Sequence, residues 1–596
     1  MCESRTLTIE TAFALIARTA RLGNNSRCRL SPCPHSQHRI LQMERQMRRI
    51  CNTVVIVLLG GCCGTLWARQ SPKPAADTFN LRADHPGTIT FYGSKTARLF
   101  SKEIKKSLAG VLQRDYVSTP AGKFPAGFIN ASPAGQPWYG TMWSRDAGTF
   151  MRELVFWGYY AHACQLAQCV MNLVGTNSHG FIALPRYFSP DSGHRKSGTE
   201  MDGQAATIIA MVALWQRLPP QNPFRPRIYH FLHQKSSPIR GIYYELRHGP
   251  LIPGSGEFGG GQHLAYNIVQ NNLCALAFIS CARMEAQAGD PVAAQRWRNA
   301  AKTVYRRIAK YLVGKNGDWI WNLNTRTLKP SRSDRTSNAG TGSLNGALSM
   351  SADVLGFAPT AWPWRGVVIH GEKTFEELYQ FPLRKQQFIK YGIWPQMDYM
   401  HDGLLTSPSY GQGYALQDML LLNKLAMAGH GLHFLAWATY KSPHEIFSFR
   451  KWHYGRESPY YFYERLYSPD AYGKITMTAG CGPLNLVNVS EPLKVARLIA
   501  GVDDTSLKEV RIIPRLPPTW AGYRMANWPV LTSHGVVRAD ISLKKNNGTV
   551  TFALHVTRGG PIPELAVWIP GSKWNRWKLQ KHFENVKNLT FASVVH

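Results

Sequence analysis

The feature that most constrains this chain is the run of helical periodicity between Trp143 and about Gly501. Stretches of roughly 13–20 residues with apolar positions at helical spacing follow one another there, separated by loops rich in Gly, Pro and aromatic residues. Helices are expected over Arg145–Gly158, Tyr160–Leu173, Met201–Leu218, Arg225–Lys235, Leu264–Gln287, Val292–Leu312, Ser343–Leu355, Thr374–Leu383, Ala415–Met427 and Leu432–Tyr440. A last one runs over Pro483–Leu486 and continues into Pro492–Gly501. Each apolar face has to be buried against neighbouring helices, so the expectation is an all-α core of six helical hairpins. No repeat of fixed sequence period is visible.

After Gly501 the texture changes. Leu507 to Ile513 alternates, and Val536–Leu543 alternates up to Asn546-Asn547-Gly548, a hairpin turn signal; Val550, Phe552, Leu554 and Val556 then resume the period of two. A C-terminal antiparallel β domain is expected, acting as a structural cap. The chain therefore divides into an upstream extension and signal peptide (1–69), a linker and lead-in segment of strands and helix (70–137), a helical catalytic core (138–505) and the β domain (506–596).

The front of the chain reads as an export signal. Arg45, Arg48 and Arg49 form a positive region, and Cys51–Leu66 a short apolar one ending at Leu66-Trp67-Ala68. That run is too short and Gly-rich for a transmembrane helix. Met43 or Met47 is an alternative start. Leu59-Gly60-Gly61-Cys62 resembles a lipobox, so a lipid anchor at Cys62 is the one expected route to a membrane, and the location expected is periplasmic or extracellular. Six of the 11 Cys precede residue 64. Cys164, Cys169, Cys274, Cys281 and Cys481 lack metal-finger spacing and are expected as small buried side chains with at most one or two disulfides.

The formal net charge is +33, and residues 1–70 carry ten Arg and three Glu, so the rest of the chain keeps +26. Such a field favours polyanions. There is no dense Lys/Arg run or nucleic-acid motif, so nucleic acid is not an expected partner; an acidic polysaccharide fits, and so does a generally basic exported protein.

No GxGxxG, P-loop, HExxH or GxSxG element stands in a convincing context. What remains is a set of acidic residues in aromatic- and glycine-rich loops at helix starts. Trp138-Tyr-Gly-Thr-Met-Trp143-Ser-Arg145-Asp146 opens the first long helix. Arg145 is a fork of donors, Asp146 an acceptor and Trp143 a flat stacking face, a set that can hold a hexose by its hydroxyls; an Asp near a helix start paired with its neighbouring Arg is the plain alternative. Gly198-Thr-Glu200-Met-Asp202-Gly-Gln opens another helix, with capping by Asp202 as the alternative. Glu257 stands in the loop Pro250-Leu-Ile-Pro-Gly-Ser-Gly-Glu257-Phe-Gly-Gly-Gly, and Glu464 in Ser458-Pro-Tyr-Tyr-Phe-Tyr-Glu464-Arg-Leu-Tyr-Ser-Pro-Asp470. Trp394 and Tyr410, in Trp394-Pro-Gln-Met-Asp and Pro408-Ser-Tyr410-Gly-Gln-Gly-Tyr, offer further aromatic groups for a cleft, and loop packing explains them nearly as well.

In order, these motifs resemble the six-hairpin glycosidases: glucoamylases, trehalases, processing α-glucosidases and glycogen-debranching enzymes. The resemblance covers residues 138–505 and implies an (α/α)6 toroid. It implies that Arg145 and Asp146, walled by Trp143, bind the sugar in the deepest subsite, with Glu200 and Asp202 lining it. It further implies Glu257 as general acid, by its place before the fifth helix, and Glu464 as general base. The flanks of Glu257 depart from the family's S-x-x-D or W-E-E patterns. Leu466 replaces the usual aromatic two residues after Glu464, and Pro483-Leu484 the W-S that opens the next helix. Glu457 and Asp470 are substitutes for the base, and pairing of Glu464 with Arg465 or Arg456 is the structural alternative.

The activity implied is an inverting glycoside hydrolase acting on an oligo- or polysaccharide, with two carboxyl groups and no metal or cofactor. Two rivals come from other classes. A polysaccharide lyase or epimerase would use Tyr410, His263 or His401 as base, and a glycan-binding protein would turn nothing over.

Overall fold

The fold is that of a computed structural model, which describes residues 79–120, 122, 124–131, 140–188, 196–254, 264–314, 320, 322–330, 340–359, 362, 396–397, 404–406, 413–440, 465–467, 477–478, 486–546, 548–570 and 576–594. Glu257, Glu464, Trp394, Tyr410, the export signal with Cys62, and the helix expected at Thr374–Leu383 lie outside the described residues.

The described helices are α1 (Lys95–Arg114), α2 (Ser144–Trp157), α3 (Tyr160–Leu173), α4 (Met201–Arg217), α5 (Phe224–His233), α6 (Pro238–His248), α7 (Ile268–Ala288), α8 (Pro291–Tyr311), α9 (Gly340–Leu355), α10 (Tyr414–Leu421), α11 (Leu425–Tyr440) and α12 (Leu486–Ala500). Local chemistry sets many of their ends. The Asn267 side chain caps α7 by accepting from Gln270 N, and Asp290 caps α8 by accepting from Ala293 N, with Pro291 at its first position. Gly158 (φ +86°) and Gly289 (φ +88°) terminate α2 and α7 in the left-handed region.

Burial sorts the helices into two classes. Every residue of α2, α10 and α12 is buried, whereas α8 buries one stripe and exposes the rest. A helix apolar on all sides belongs inside. The inner helices pack in a cyclic order: α2 on α4, α4 on α7, α7 on α9, α9 on α10, α10 on α12, and α12 back on α2. Outside them, α8 packs on α7, α3 on α2, and α1 on α11 and α12.

Three boundaries differ from the sequence expectation. The break expected between Met427 and Leu432 falls instead at Leu422–Lys424, where Asn423 takes a left-handed φ of +59°, and α11 runs on through Gly429 and Gly431. α12 is continuous from Leu486 to Ala500 with Pro492 inside it, so this proline interrupts one hydrogen bond rather than starting a helix. α6, only 11 residues long and led by Pro238, was not legible as a helix.

The C-terminal region is antiparallel β as expected, apart from one parallel pair. A five-stranded sheet has the order 88–92, 522–532, 535–546, 549–558, 588–594, and a four-stranded sheet the order 502–503, 510–512, 562–570, 577–586, with 510–512 and 562–570 parallel. The hairpin at Asn546–Thr549 is closed as its sequence predicts, with Gly548 at φ +77°. Strand Thr88–Tyr92, from the lead-in segment, pairs with Gly522–Ala526 and makes the sheet an assembly of both ends of residues 79–596. Cys164, Cys169, Cys274 and Cys281 are buried free thiols whose pKa burial pushes up. No helix among the described residues is long and apolar enough to cross a membrane.

Candidate active site

The site begins where two inner helices start. Trp143 sits in an extended conformation, in a two-residue strand paired with Pro185–Phe188, and α2 follows at once. Glu200 occupies the equivalent extended position before α4. The helices approach closely because glycine permits it. A Cβ on Gly203 would stand 2.9 Å from Arg145 N, and one on Gly148 2.7 Å from Thr207 N. Ser144 faces Gly203 and Gly148 faces Thr207, so α2 and α4 run parallel with their N-termini together.

That contact joins motifs 57 residues apart. Arg145 Nη1 donates to Asp202 Oδ2 at 3.2 Å and lies 3.7 Å from Glu200 Oε2, while Arg145 Nη2 lies 3.9 Å from Asp146 Oδ2. Glu200 Oε1 pairs with Arg186 Nε at 3.1 Å. The Arg186 guanidinium in turn lies 4.9 Å over the Trp143 ring, whose other neighbour is Tyr187 at 5.2 Å. Arg145, Asp146, Glu200 and Asp202 are buried and Trp143 is half-buried. Asp202 also accepts from Gly203 N at 2.8 Å, but it stands inside the first turn of α4 and the position before the helix is Glu200, which makes no side-chain capping bond, so Asp202 is not the cap.

Arg186 and Tyr187 were missed in the sequence, because they lie on a strand between helices and their partners are distant. Glu257 lies outside the described residues, between Gly254 and Leu264 in the chain. Gly254 and Ala265, on either side of it, exchange two backbone hydrogen bonds of 3.1 Å just before α7, which packs on α4. Glu464 immediately precedes strand Arg465–Tyr467, which pairs with Leu405–Thr406 on one side and Met477–Thr478 on the other.

One turn and more below Arg145, the inner helices meet in a buried ionic network that the sequence reading also missed. Arg152 Nε lies 2.8 Å from Glu153 Oε1 and 3.3 Å from Asp353 Oδ2, and Arg152 Nη2 3.0 Å from Glu491 Oε1. Arg497 binds Glu153 through two nitrogens at 2.7 and 2.9 Å and Asp353 at 2.8 Å, and Lys494 Nζ is 2.6 Å from Asp353 Oδ2. Gln417 Nε2 donates to Glu491 Oε2 at 2.6 Å. Three cations and three anions from α2, α9 and α12 thus balance one another in a buried setting. Burial alone would raise the pKa of Asp353, but Lys494, Arg152 and Arg497 together hold it well below the carboxylate range. Tyr414, buried on α10, lies within electrostatic reach of Glu491, Arg152, Arg145 and Asp146, and so joins the upper cluster to the network; burial pushes its pKa well up. The available signal was the spacing Glu491, Lys494, Arg497, three charges on one face of an otherwise apolar helix.

No family model matches the chain, and no curated protein matches it in sequence. Among solved structures it is similar to the α-L-rhamnosidase from Dictyoglumus thermophilum, with a TM-score of 0.50 and 10% identity over 85% of this chain and 49% of that one. It is likewise similar to the GH78 family rhamnosidase of Bacillus sp. GL1, with a TM-score of 0.50 and 13% identity over 82% and 43%. The chain spans less than half the length of either enzyme. At such identities the likeness is one of fold: a helical body with a C-terminal antiparallel β region.

Proposed function

We propose that this chain is an exported glycoside hydrolase of inverting type, built on a six-hairpin (α/α)6 toroid with its site at the helix-start loops. The observation that carries the reading is the meeting of Trp143-Ser-Arg145-Asp146 with Glu200-Met-Asp202 through the 3.2 Å bond from Arg145 to Asp202. Two motifs singled out separately for sugar binding form one cluster of an aromatic face, guanidiniums and carboxylates. The cyclic packing order of the inner helices supports the toroid, and the fold shared with two rhamnosidases supports a glycosidic substrate.

In this reading Trp143, Arg145, Asp146, Glu200 and Asp202, with Trp394 and Tyr410, hold the sugar in the deepest subsite. Glu257 protonates the glycosidic oxygen, and Glu464 deprotonates a water that attacks the anomeric carbon from the opposite face. A pair about 6.5–9.5 Å apart leaves room for that water, and configuration inverts. Charge repulsion and burial keep an acid protonated while its partner is ionised.

The test is sugar release from a panel of α-L-rhamnosides, α-glucosides and uronic-acid oligosaccharides. New reducing ends without ultraviolet absorbance are expected. An absorbance rise on uronic acid polymers would replace hydrolysis with elimination, and binding without turnover would reduce the chain to a glycan receptor.

A further inference from the structure

We propose that the outer face of α8 is an accessory binding ridge for a carboxylated polysaccharide. The inference rests on the reading of the chain as one that acts on glycans. α8 has no acidic residue in its 21 positions. Arg298, Lys302, Arg306 and Lys310 follow at intervals of four and are all exposed. At helical rise they stand about 6 Å apart along the axis, in a row about 18 Å long that turns slowly round the helix.

None of the four is neutralised by an ion pair among the described residues. Arg298 Nε donates to Gln295 Oε1 at 3.1 Å and Arg306 Nη2 to Thr303 Oγ1 at 3.2 Å, both neutral partners. Glu or Asp one turn away would offset such a row; here the other exposed residues between the first and last cation are Asn299 and Ala309, neither of them acidic. The ridge is also anchored. Trp297 is buried beneath it and stacks on Phe278 of α7 at 5.8 Å, and Arg307 fastens the end of α6 by donating to Gly249 O at 2.8 Å.

Cations spaced by a helical turn, on a helix with no acidic side chain to offset them, suit a chain that offers a carboxylate on each unit. Nucleic acid fits less well, since no exposed aromatic side chain lies on this face for base stacking and the straight ridge has no element to enter a groove. A bilayer fits less well, because the one large exposed apolar side chain on α8 is Val292 at its start.

The test measures binding of the full chain to immobilised polygalacturonate across a salt series, with dextran, duplex DNA and phosphatidylglycerol vesicles alongside. The variant Arg298→Gln/Lys302→Gln/Arg306→Gln/Lys310→Gln is expected to bind polygalacturonate at least about tenfold more weakly, with a shallower salt dependence. A control with Lys95, Arg98, Lys105 and Lys544 changed to Gln removes the same charge elsewhere and is expected to bind as wild type. Turnover of a short neutral oligosaccharide should be unchanged in both. Equal binding by the first variant and wild type, or tighter binding of DNA or vesicles through the same four residues, would overturn the proposal. Row-dependent binding by a chain that hydrolyses nothing would uphold the ridge and overturn the hydrolase reading.

Discussion

Arg145 shows how far single residues are legible. Its place in W-x-R-D singled it out as a candidate, and the structure sets it beside Asp202 as well as Asp146. What the sequence could not give was Arg186, whose pairing with Glu200 and cover of Trp143 depend on a strand that returns from more than 40 residues away. Glu103 is a different case, a carboxylate buried on α1 with Oε2 unbonded among the described residues. Burial pushes its pKa well above the usual value. Folded and unfolded chains are both protonated there below the carboxylate range. As pH rises through about 4.3 the unfolded chain ionises first, and stability falls until the folded group ionises too. Glu103→Gln should therefore melt with the wild type near pH 4 and above it at pH 7, by scanning fluorimetry over that range. A gap that shrank with rising pH would contradict the assignment.

At the scale of elements, helix existence was legible and helix ends less so. α3 falls where its periodicity predicts, at Tyr160–Leu173. Gly and Pro punctuate a sequence, but inside the fully buried α12 packing overrides Pro492, and α11 runs through the half-buried Gly429 while Asn423 takes the left-handed turn instead. Glycine matters more between elements. Gly203→Ala forces a methyl group into the α2–α4 contact and should destabilise the chain by about 1–3 kcal/mol, in the range of overpacked cores. It should also move Arg145 away from Asp202. Urea unfolding measures the first effect, and a variant as stable as wild type would remove the close approach from the account.

For the molecule as a whole, the order of elements carried the architecture: all-buried helices, then alternation of period two. Two features escaped because they are non-local. Strand Thr88–Tyr92 completes a sheet with residues more than 400 positions away, and the ionic network draws its members from three helices. Lys494→Met tests that network. It strands Asp353 with less compensation and should cost about 3–5 kcal/mol, as the loss of one partner of a buried ion pair does. Stability from Asp353, whose pKa is depressed, is fully present above the unfolded carboxylate's value of about 3.9 and is lost only as pH falls from there toward its own lower value, so the cost of Lys494→Met should narrow below about pH 4. Denaturant midpoints at pH 7 and at about pH 3, below the unfolded carboxylate's value, check both statements, and a pH-independent cost would contradict them.

The central claim is the pair of carboxyl groups at Glu257 and Glu464, and the most direct measurement is turnover of the best glycoside by Glu257→Gln and Glu464→Gln beside wild type. The account predicts that each variant folds, binds substrate and loses turnover by at least about a hundredfold, in keeping with the loss of a general acid or base. Full activity in either variant would contradict it and remove that residue from the mechanism.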